Sequence, residues 1–348
     1  MGDASCPPEL PEESSSALLP IRILTHNIRF ATDTPDESEK LWPDRFAYLS
    51  SHFKYHTRPH FAPQSTLVCM QEVLHGQLLD LHTQTFNTST TSSLQASGDD
   101  DNDWTYVGVG RNDGKTKGEY SPIFFRKSAW KCIHWETVWL NETGEVGKKG
   151  WDADSIRILT CAVLESVLVD NNTASDGQRN QLMLAMNTHL DNEGKISRRE
   201  SAKLILRVAS RLRSRYNPTF TFLTGDLNSH PDGDAYQILN AAGSGFVDTR
   251  RLVSQSNHDG KIYAYGNELT FTGFPPDPAA EGRERIDFVH LGIPLPPSEA
   301  EASSQGEEEP YDQVKEMVQG YGVLPNRFDD KVWMSDHRAV VVDLLVRF

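Results

Sequence analysis

Residues 219–228 read TFTFLTGDLN, and this stretch decides the fold. Residues 219–224 are aromatic, aliphatic and threonine side chains only, the composition of a buried strand. Gly225 then breaks the run, and Asp226 and Asn228 follow two positions apart. A strand continuing through them is excluded in favour of a sharp loop that brings both polar side chains inward. Strand, tight turn, polar pair: the same event recurs outward in both directions.

Toward the N-terminus, residues 181–187 form a strand that leads to His189, and Lys195–Tyr216 turns helical. In that helix Ile205, Val208, Ala209, Leu212 and Tyr216 make an apolar stripe. Farther back, residues 21–30 (IRILTHNIRF) carry Asn27, and residues 66–70 (TLVCM) run into Gln71 and Glu72. Leu74, Leu78 and Leu81 then share a helical face. Strands are expected at 104–109, 123–126, 133–140 and 156–169, and a short helix at 234–242. Toward the C-terminus, 286–291 holds Asp287, and Asp336-His337 precedes the strand 339–346. Strand runs interspersed with helices and no internal repeat predict α+β or a layered α/β sandwich.

The polar residues at these strand ends are carboxylates, carboxamides and a few histidines, with no thiolates. That is the ligand chemistry of a hard divalent cation. Such a cation polarises phosphoryl oxygens and generates a nucleophilic water. Each residue alone reads equally as a cap or turn; the ordered set is what points to chemistry.

The 348 residues carry 34 Lys+Arg against 49 Asp+Glu, a formal charge of −15. The acid is localised: residues 1–20, 87–103 and 298–312 hold 14 acids and no base. Without them the body is close to neutral, so the overall charge says little about a polyanionic partner. Segments this polar cannot bury enough surface to offset their ordering entropy. A tail at 1–20, one domain at 21–348 and mobile insertions near 87–103 and 294–315 are therefore expected. No run reaches the ~18 apolar residues of a membrane span, and the N-terminus lacks a secretory pattern. Cys6, Cys69, Cys132 and Cys161 are dispersed and form no C-x-x-C pair, which excludes a local thiolate zinc site. An intracellular protein, cytoplasmic or nuclear, with reduced thiols follows as the expectation. Asn87, Asn141 and Asn171 in N-x-[ST] triplets then carry no meaning.

Taken in order, His26-Asn27, Gln71-Glu72, N-T-H-L (187–190), G-D-L-N (225–228), I-D-F (286–288) and Ser335-Asp336-His337 resemble the endonuclease/exonuclease/phosphatase superfamily. GEYSPIFFRK (118–127) and GWDADSIR (150–157) are similar to a bacterial and fungal group within it, and the I-F-F run also to deadenylase and nocturnin-like members. The resemblance implies the deoxyribonuclease I-like fold, a four-layer sandwich of two mixed, mostly antiparallel sheets flanked by helices. It implies a Mg²⁺-dependent (or Mn²⁺-dependent) phosphoester hydrolase. A phosphodiesterase resembling 3'-5' RNA exonucleases is slightly favoured over an enzyme of small or lipid-derived phosphoesters. An idle binding module is remote, since every motif is intact. A monomer without protein-interaction modules is expected.

Residue roles follow from the same resemblance. Glu72 is the direct metal ligand, with Asn27 and Asp336 on the metal side and Asn27 also near the phosphate. Asp226 orients and deprotonates water, and Asn228 binds a phosphate oxygen. His337 is a donor to the phosphorus centre with Asp287 as its partner, and His189 a second donor with Glu119 as its partner. Arg157 is either a phosphate clamp or a salt-bridge partner of Asp152 or Asp154. Tyr120 and Trp151 either line the pocket and stack a base, or are core and rim aromatics. The basic run along residues 195–215 is a solvated face or a nucleic-acid contact. His52, His56, His60, His75 and His82 are assigned to surface or helix positions, with no role in the site.

Overall fold

The apolar run at the start of the chain becomes strand β1 (Leu18–Asn27), whose last five residues are buried on both faces. A strand sealed on both sides needs a layer above and below it, and the rest of the chain supplies them. A computed structural model describes residues 18–59, 61–88, 103–168, 181–253, 263–277, 284–293 and 310–348. Most of the expected tail and insertions lies outside these residues.

After β1 come helix α1 (Trp42–Thr57), strand β2 (Leu67–Gln71) and helix α2 (His75–Asp80), which continues into a π-turn at Leu81–Phe86. Strands β3 (Trp104–Val107), β4 (Ile123–Arg126), β5 (Trp130–Trp139), β6 (Ile158–Ser166) and β7 (Leu182–His189) follow. Helix α3 (Lys195–Tyr216) leads to β8 (Phe220–Asp226), α4 (Asp234–Leu239), β9 (Phe246–Asp248) and β10 (Ala264–Gly266). The chain ends with β11 (Asp287–Gly292), α5 (Pro310–Met317), β12 (Val318–Val323) and β13 (Val340–Arg347).

One sheet has the order β10-β12-β13-β1-β2-β4-β3, the other β5-β6-β7-β8-β11-β9. Pairing is parallel at β1–β2, β7–β8 and β10–β12 and antiparallel elsewhere. The apolar faces of the two sheets meet in one core that includes Ile21, Ile23, Trp130, Phe222, Val289 and Val342. A second core packs α3 and α4 on the β7–β8 side, through Ile205, Leu212, Leu223 and Phe288. A third packs α1 and α2 on the β1–β2 side, through Leu49, Phe53, Val68 and Phe124. Helix, sheet, sheet, helix: the four-layer sandwich is the observed architecture.

The structure departs from the expectations in three places. Helix α1 was not legible, because its buried face includes Arg45, Ser50, His52 and Thr57; Arg45 is wholly buried and donates to the carbonyls of Ile28 (3.0 Å) and Met334 (2.8 Å). His52, assigned to a surface or helix position, is on that helix but buried. Residues 310–315, placed in a mobile insertion, belong to α5, where Val314 joins the inter-sheet core. Asp336-His337 precedes the last strand as expected, in the loop before β13.

Candidate active site

Parallel pairing sets the site. β1 and β2 put Asn27 beside Gln71, and β7 and β8 put His189 beside Asp226. The antiparallel pair β8–β11 puts Asp287 opposite Asp226. The polar ends of both sheets thus converge on one cleft of about 470 Å³, whose lining includes Glu72, His189, Asp226, Asn228, Asp336 and His337. Beneath it a buried amide network joins the sheets: Gln71 Nε2 donates to Asn187 Oδ1 (2.7 Å), and Asn187 Nδ2 to the carbonyls of Met70 (2.8 Å) and Pro122 (3.0 Å).

Backbone strain is concentrated here. Among the described residues the non-glycine residues with positive φ include Arg29 (60°), Glu72 (61°) and Asn228 (44°), all lining the cleft. Each such conformation costs about 1–3 kcal/mol and persists where the surroundings hold it. For Glu72 the holders are visible: Oε1 accepts from Asn27 Nδ2 (3.1 Å) and Oε2 from the Phe30 amide (3.0 Å).

Asp226 is at the centre. Its Oδ2 accepts from Asn27 Nδ2 (3.0 Å) and lies 3.5 Å from His189 Nε2 and 3.7 Å from His337 Nε2, while Oδ1 accepts from the Asn228 amide (2.8 Å). Burial and the neighbouring Asp287 push its carboxyl up to about 7. His337 Nδ1 is 2.8 Å from Asp287 Oδ2. Burial alone would lower the His337 pKa, but Asp287 and Asp226 outweigh it and hold the ring well above its ordinary value. Ser335 Oγ donates to the Asn27 carbonyl (2.6 Å), which ties the loop carrying Asp336 and His337 to β1. Phe271 packs edge-on to His337, ring centroids 5.0 Å apart.

Several expected pairings take a different form. Asn27 turns its amide nitrogen to both Glu72 and Asp226, and its Oδ1 accepts from the Arg29 amide (3.0 Å). Through these bonds Asn27 bridges the carboxylates of Glu72 and Asp226. Asn228 Nδ2 lies 2.9 Å from both the Leu190 carbonyl and His189 Nε2, so it orients His189. Glu119 is 3.9 Å from His189 Nδ1, beyond a hydrogen bond, and pairs instead with Arg111 Nη1 (2.7 Å). Burial, with Arg157 and Arg111 nearby, holds the His189 pKa well below its ordinary value.

Arg157 lines the cleft, and its partners are Asp191 (3.3 Å) and Asn192 (2.9 Å), not Asp152 or Asp154. Tyr120 is a buried core aromatic, its ring stacked on His75 and its hydroxyl donating to the Lys115 carbonyl (2.8 Å). Trp151 is outside the cleft lining, in a left-handed conformation (φ 51°) with its amide on Glu142. In the basic helix, Arg198 is bonded to the Asp191 carbonyl, Lys203 to Glu200, Arg211 to Glu136 and Arg213 to the Ile293 carbonyl. Lys195, Arg199, Lys203, Arg207, Arg211 and Arg215 are nonetheless exposed, so most of the run forms a solvated face.

Arg29, Arg111 and Asp191 were not singled out in the sequence. Asp191 had a usable signal, because an Asp directly after N-T-H-L and three before a helix-initiating Gly is a turn-capping pattern. Its carboxylate accepts the amides of Asp154 (3.0 Å), Ser155 (2.9 Å) and Gly194 (2.7 Å). Arg29 and Arg111 had none, since isolated loop arginines are ordinary surface residues.

The donor set fits a divalent cation. Asp226, Asp287 and His337 bring potential ligand atoms within 4.8 Å of one another, but a His337 kept charged by Asp287 has no lone pair to offer, which leaves the carboxylates as the donors. On the other side of Asn27, burial and the Glu72 charge raise the Asp336 carboxyl to about 6. Two buried carboxylates that repel each other are the electrostatic mark of a place that a cation relieves.

No protein-family model matches the sequence, and no curated protein matches it. Solved structures do. An endonuclease/exonuclease/phosphatase protein from Bacteroides vulgatus is 26% identical, with 94% of this chain and 99% of that one covered and a TM-score of 0.67. A mannosyl-6-phosphatase from Bacteroides thetaiotaomicron is 25% identical over 93% and 99%, TM-score 0.66. The human Nocturnin catalytic domain is 14% identical over 94% and 95%, TM-score 0.53. The chain has the deoxyribonuclease I-like fold and stands among the phosphoester-hydrolysing enzymes of the endonuclease/exonuclease/phosphatase superfamily.

Proposed function

We propose that this chain is a Mg²⁺-dependent hydrolase of small phosphomonoesters. The observation that carries the chemistry is the placement of Asp226, whose Oδ2 lies between an amide donor and two imidazoles. A carboxylate whose pKa is raised toward neutrality is suited to take a proton from water, and Asp226 is assigned that task. His337, held by Asp287 and kept charged, donates to the oxygens on which negative charge builds. His189, oriented by Asn228, closes the opposite side. Glu72 and Asp336 would hold the cation, with Asn27 spacing Glu72 from Asp226. The cation, when bound, supplies charge neutralisation at the phosphoryl oxygens.

The choice of a small monoester over RNA rests on the outer lining. Asp36, Asp154 and Glu284 stand in the cleft along with Arg29, Arg111 and Arg157. All three guanidiniums already face carboxylates, Glu39, Glu119 and Asp191. A strand with further phosphates would run past Asp36, Asp154 and Glu284, whose basic neighbours Arg29, Lys149 and His230 stand 3.8–4.0 Å off and only partly offset their charge, whereas one terminal phosphate would not have to. The likeness to a phosphatase of a sugar phosphate supports the same reading. A panel of sugar phosphates, nucleoside monophosphates, oligo-RNA, oligo-DNA and phospholipid head groups, with Mg²⁺ and with EDTA, tests it. Monoester turnover that EDTA abolishes is the expected result. Full activity in EDTA, or preference for oligo-RNA, overturns it.

A further inference from the structure

The loop ahead of β6 is held more firmly than its composition suggests. Gly150 starts it in a place where a Cβ would lie 2.4 Å from the Leu140 carbonyl oxygen. Asp152 then turns away from the cleft and accepts the amides of Ile196 (3.1 Å) and Ser197 (2.6 Å), capping α3 in place of its own N-cap, Gly194. Asp191 clamps the next residues from the other side through the amides of Asp154 and Ser155 and through Arg157 Nε. Burial would raise the Asp191 carboxyl, but these donors hold it down at about 2.

Clamping the backbone leaves side-chain groups over for something else. Among the described residues the Asp154 carboxylate has only Lys149 Nζ near it, at 3.8 Å, beyond hydrogen-bond reach. Ser155 Oγ and Arg157 Nη1 have no hydrogen-bond partner among the described residues, and all three residues line the catalytic cleft. A charged acceptor on a clamped backbone, a hydroxyl and a guanidinium on one wall match an alcohol that carries several hydroxyls. A carboxylate accepts from sugar hydroxyls in charge-assisted bonds, and its rigid backbone spares the ordering cost.

Building on the phosphomonoesterase reading above, we infer that Asp154 and Ser155 are specificity-determining residues that bind the hydroxyls of the leaving alcohol, so that the substrate is the phosphate ester of a sugar or similar polyol. Arg157, two residues on, carries the same wall down toward the phosphoryl group. Asp152 and Asp191 are positioning residues that keep the wall in place.

The test compares a hexose 6-phosphate with cyclohexylmethyl phosphate, which has a similar shape and no hydroxyls. The wild-type chain should favour the hexose ester in kcat/KM. Asp154→Asn should reduce that preference by about 10- to 100-fold, the worth of a hydrogen bond to a charged acceptor. Asp154→Ala with Ser155→Ala should bring the two esters close to parity, mainly through KM for the hexose ester. The melting temperature of each variant separates loss of fold from loss of selectivity. A wild-type chain that treats both esters alike, or variants in which both rates fall together, overturns the inference while the hydrolase reading stands. If the wild type cleaves no ester in either panel, the hydrolase reading fails first and this one with it.

Discussion

At the scale of single residues, His337 and Asp287 are a unit. The Nδ1–Oδ2 contact of 2.8 Å is buried on both sides, so the imidazole owes its charge and its orientation to one carboxylate. Asp287→Asn should keep the fold and lower kcat, because the ring loses the anion that sustains its proton. His337→Ala should cost more, about 10²–10³ in kcat, the usual worth of a donor aimed at developing charge. Groups that act together are not additive, so the double variant should be little worse than His337→Ala alone. Losses that multiply would mean the two residues work independently. Glu72 is a separate case. Glu72→Gln should raise the Mg²⁺ concentration needed for half-maximal rate and be partly rescued by excess metal; an unchanged metal requirement would remove Glu72 as a ligand.

At the scale of elements, the end of β8 is decisive: contrary to the expected break at Gly225, the strand runs through the glycine to Asp226. Gly225 has φ +153°, and a Cβ there would lie 2.2 Å from the Thr188 carbonyl oxygen of the parallel neighbour β7. Only a residue without a side chain lets the two strands close up so that His189 and Asp226 pair. Gly225→Ala should therefore cost about 1–3 kcal/mol of stability and most of the activity. Chemical denaturation together with kcat checks both, and a variant of wild-type stability and rate would show that the approach of β7 and β8 is not what builds the site.

Across the whole molecule, two sheets deliver carboxylates to one cleft, and their repulsion is a stability term. Asp226 and Asp336 have carboxyls raised above the ordinary range, so the native state binds more protons than the unfolded chain between about pH 4 and 7. Stability from these groups is then present at low pH and falls as pH rises through their folded values. His337 acts in the same direction: its raised pKa stabilises fully below the ordinary histidine value, and that contribution is lost as pH climbs through the folded one. A cation in the cleft offsets the carboxylate repulsion. Mg²⁺ should accordingly raise Tm more at about pH 8 than at about pH 5, where protons already occupy the carboxyls. Equal shifts at both pH values, or none, would argue against a cation bound among these groups.

What the sequence alone determined was local. TFTFLTGDLN specifies a buried strand that leads to two polar side chains, although the strand runs on through Gly225 to Asp226, and Lys195–Tyr216 is a helix with the boundaries its apolar stripe predicts. The strand and helix pattern gave α+β or a layered α/β sandwich, and six motifs in order carried the family resemblance that implied four layers and the polar residues of the cleft. Tertiary structure decided the pairing of those residues. His337 finds Asp287 50 positions away, whereas Glu119 is taken by Arg111 and Arg157 by Asp191. Strand order and register set these distances, and no local pattern encodes register between strands that meet only after the sheets close. Helix α1 escaped notice for the same reason: a buried Arg45 reads as surface until the carbonyls of Ile28 and Met334, from distant loops, arrive to satisfy it.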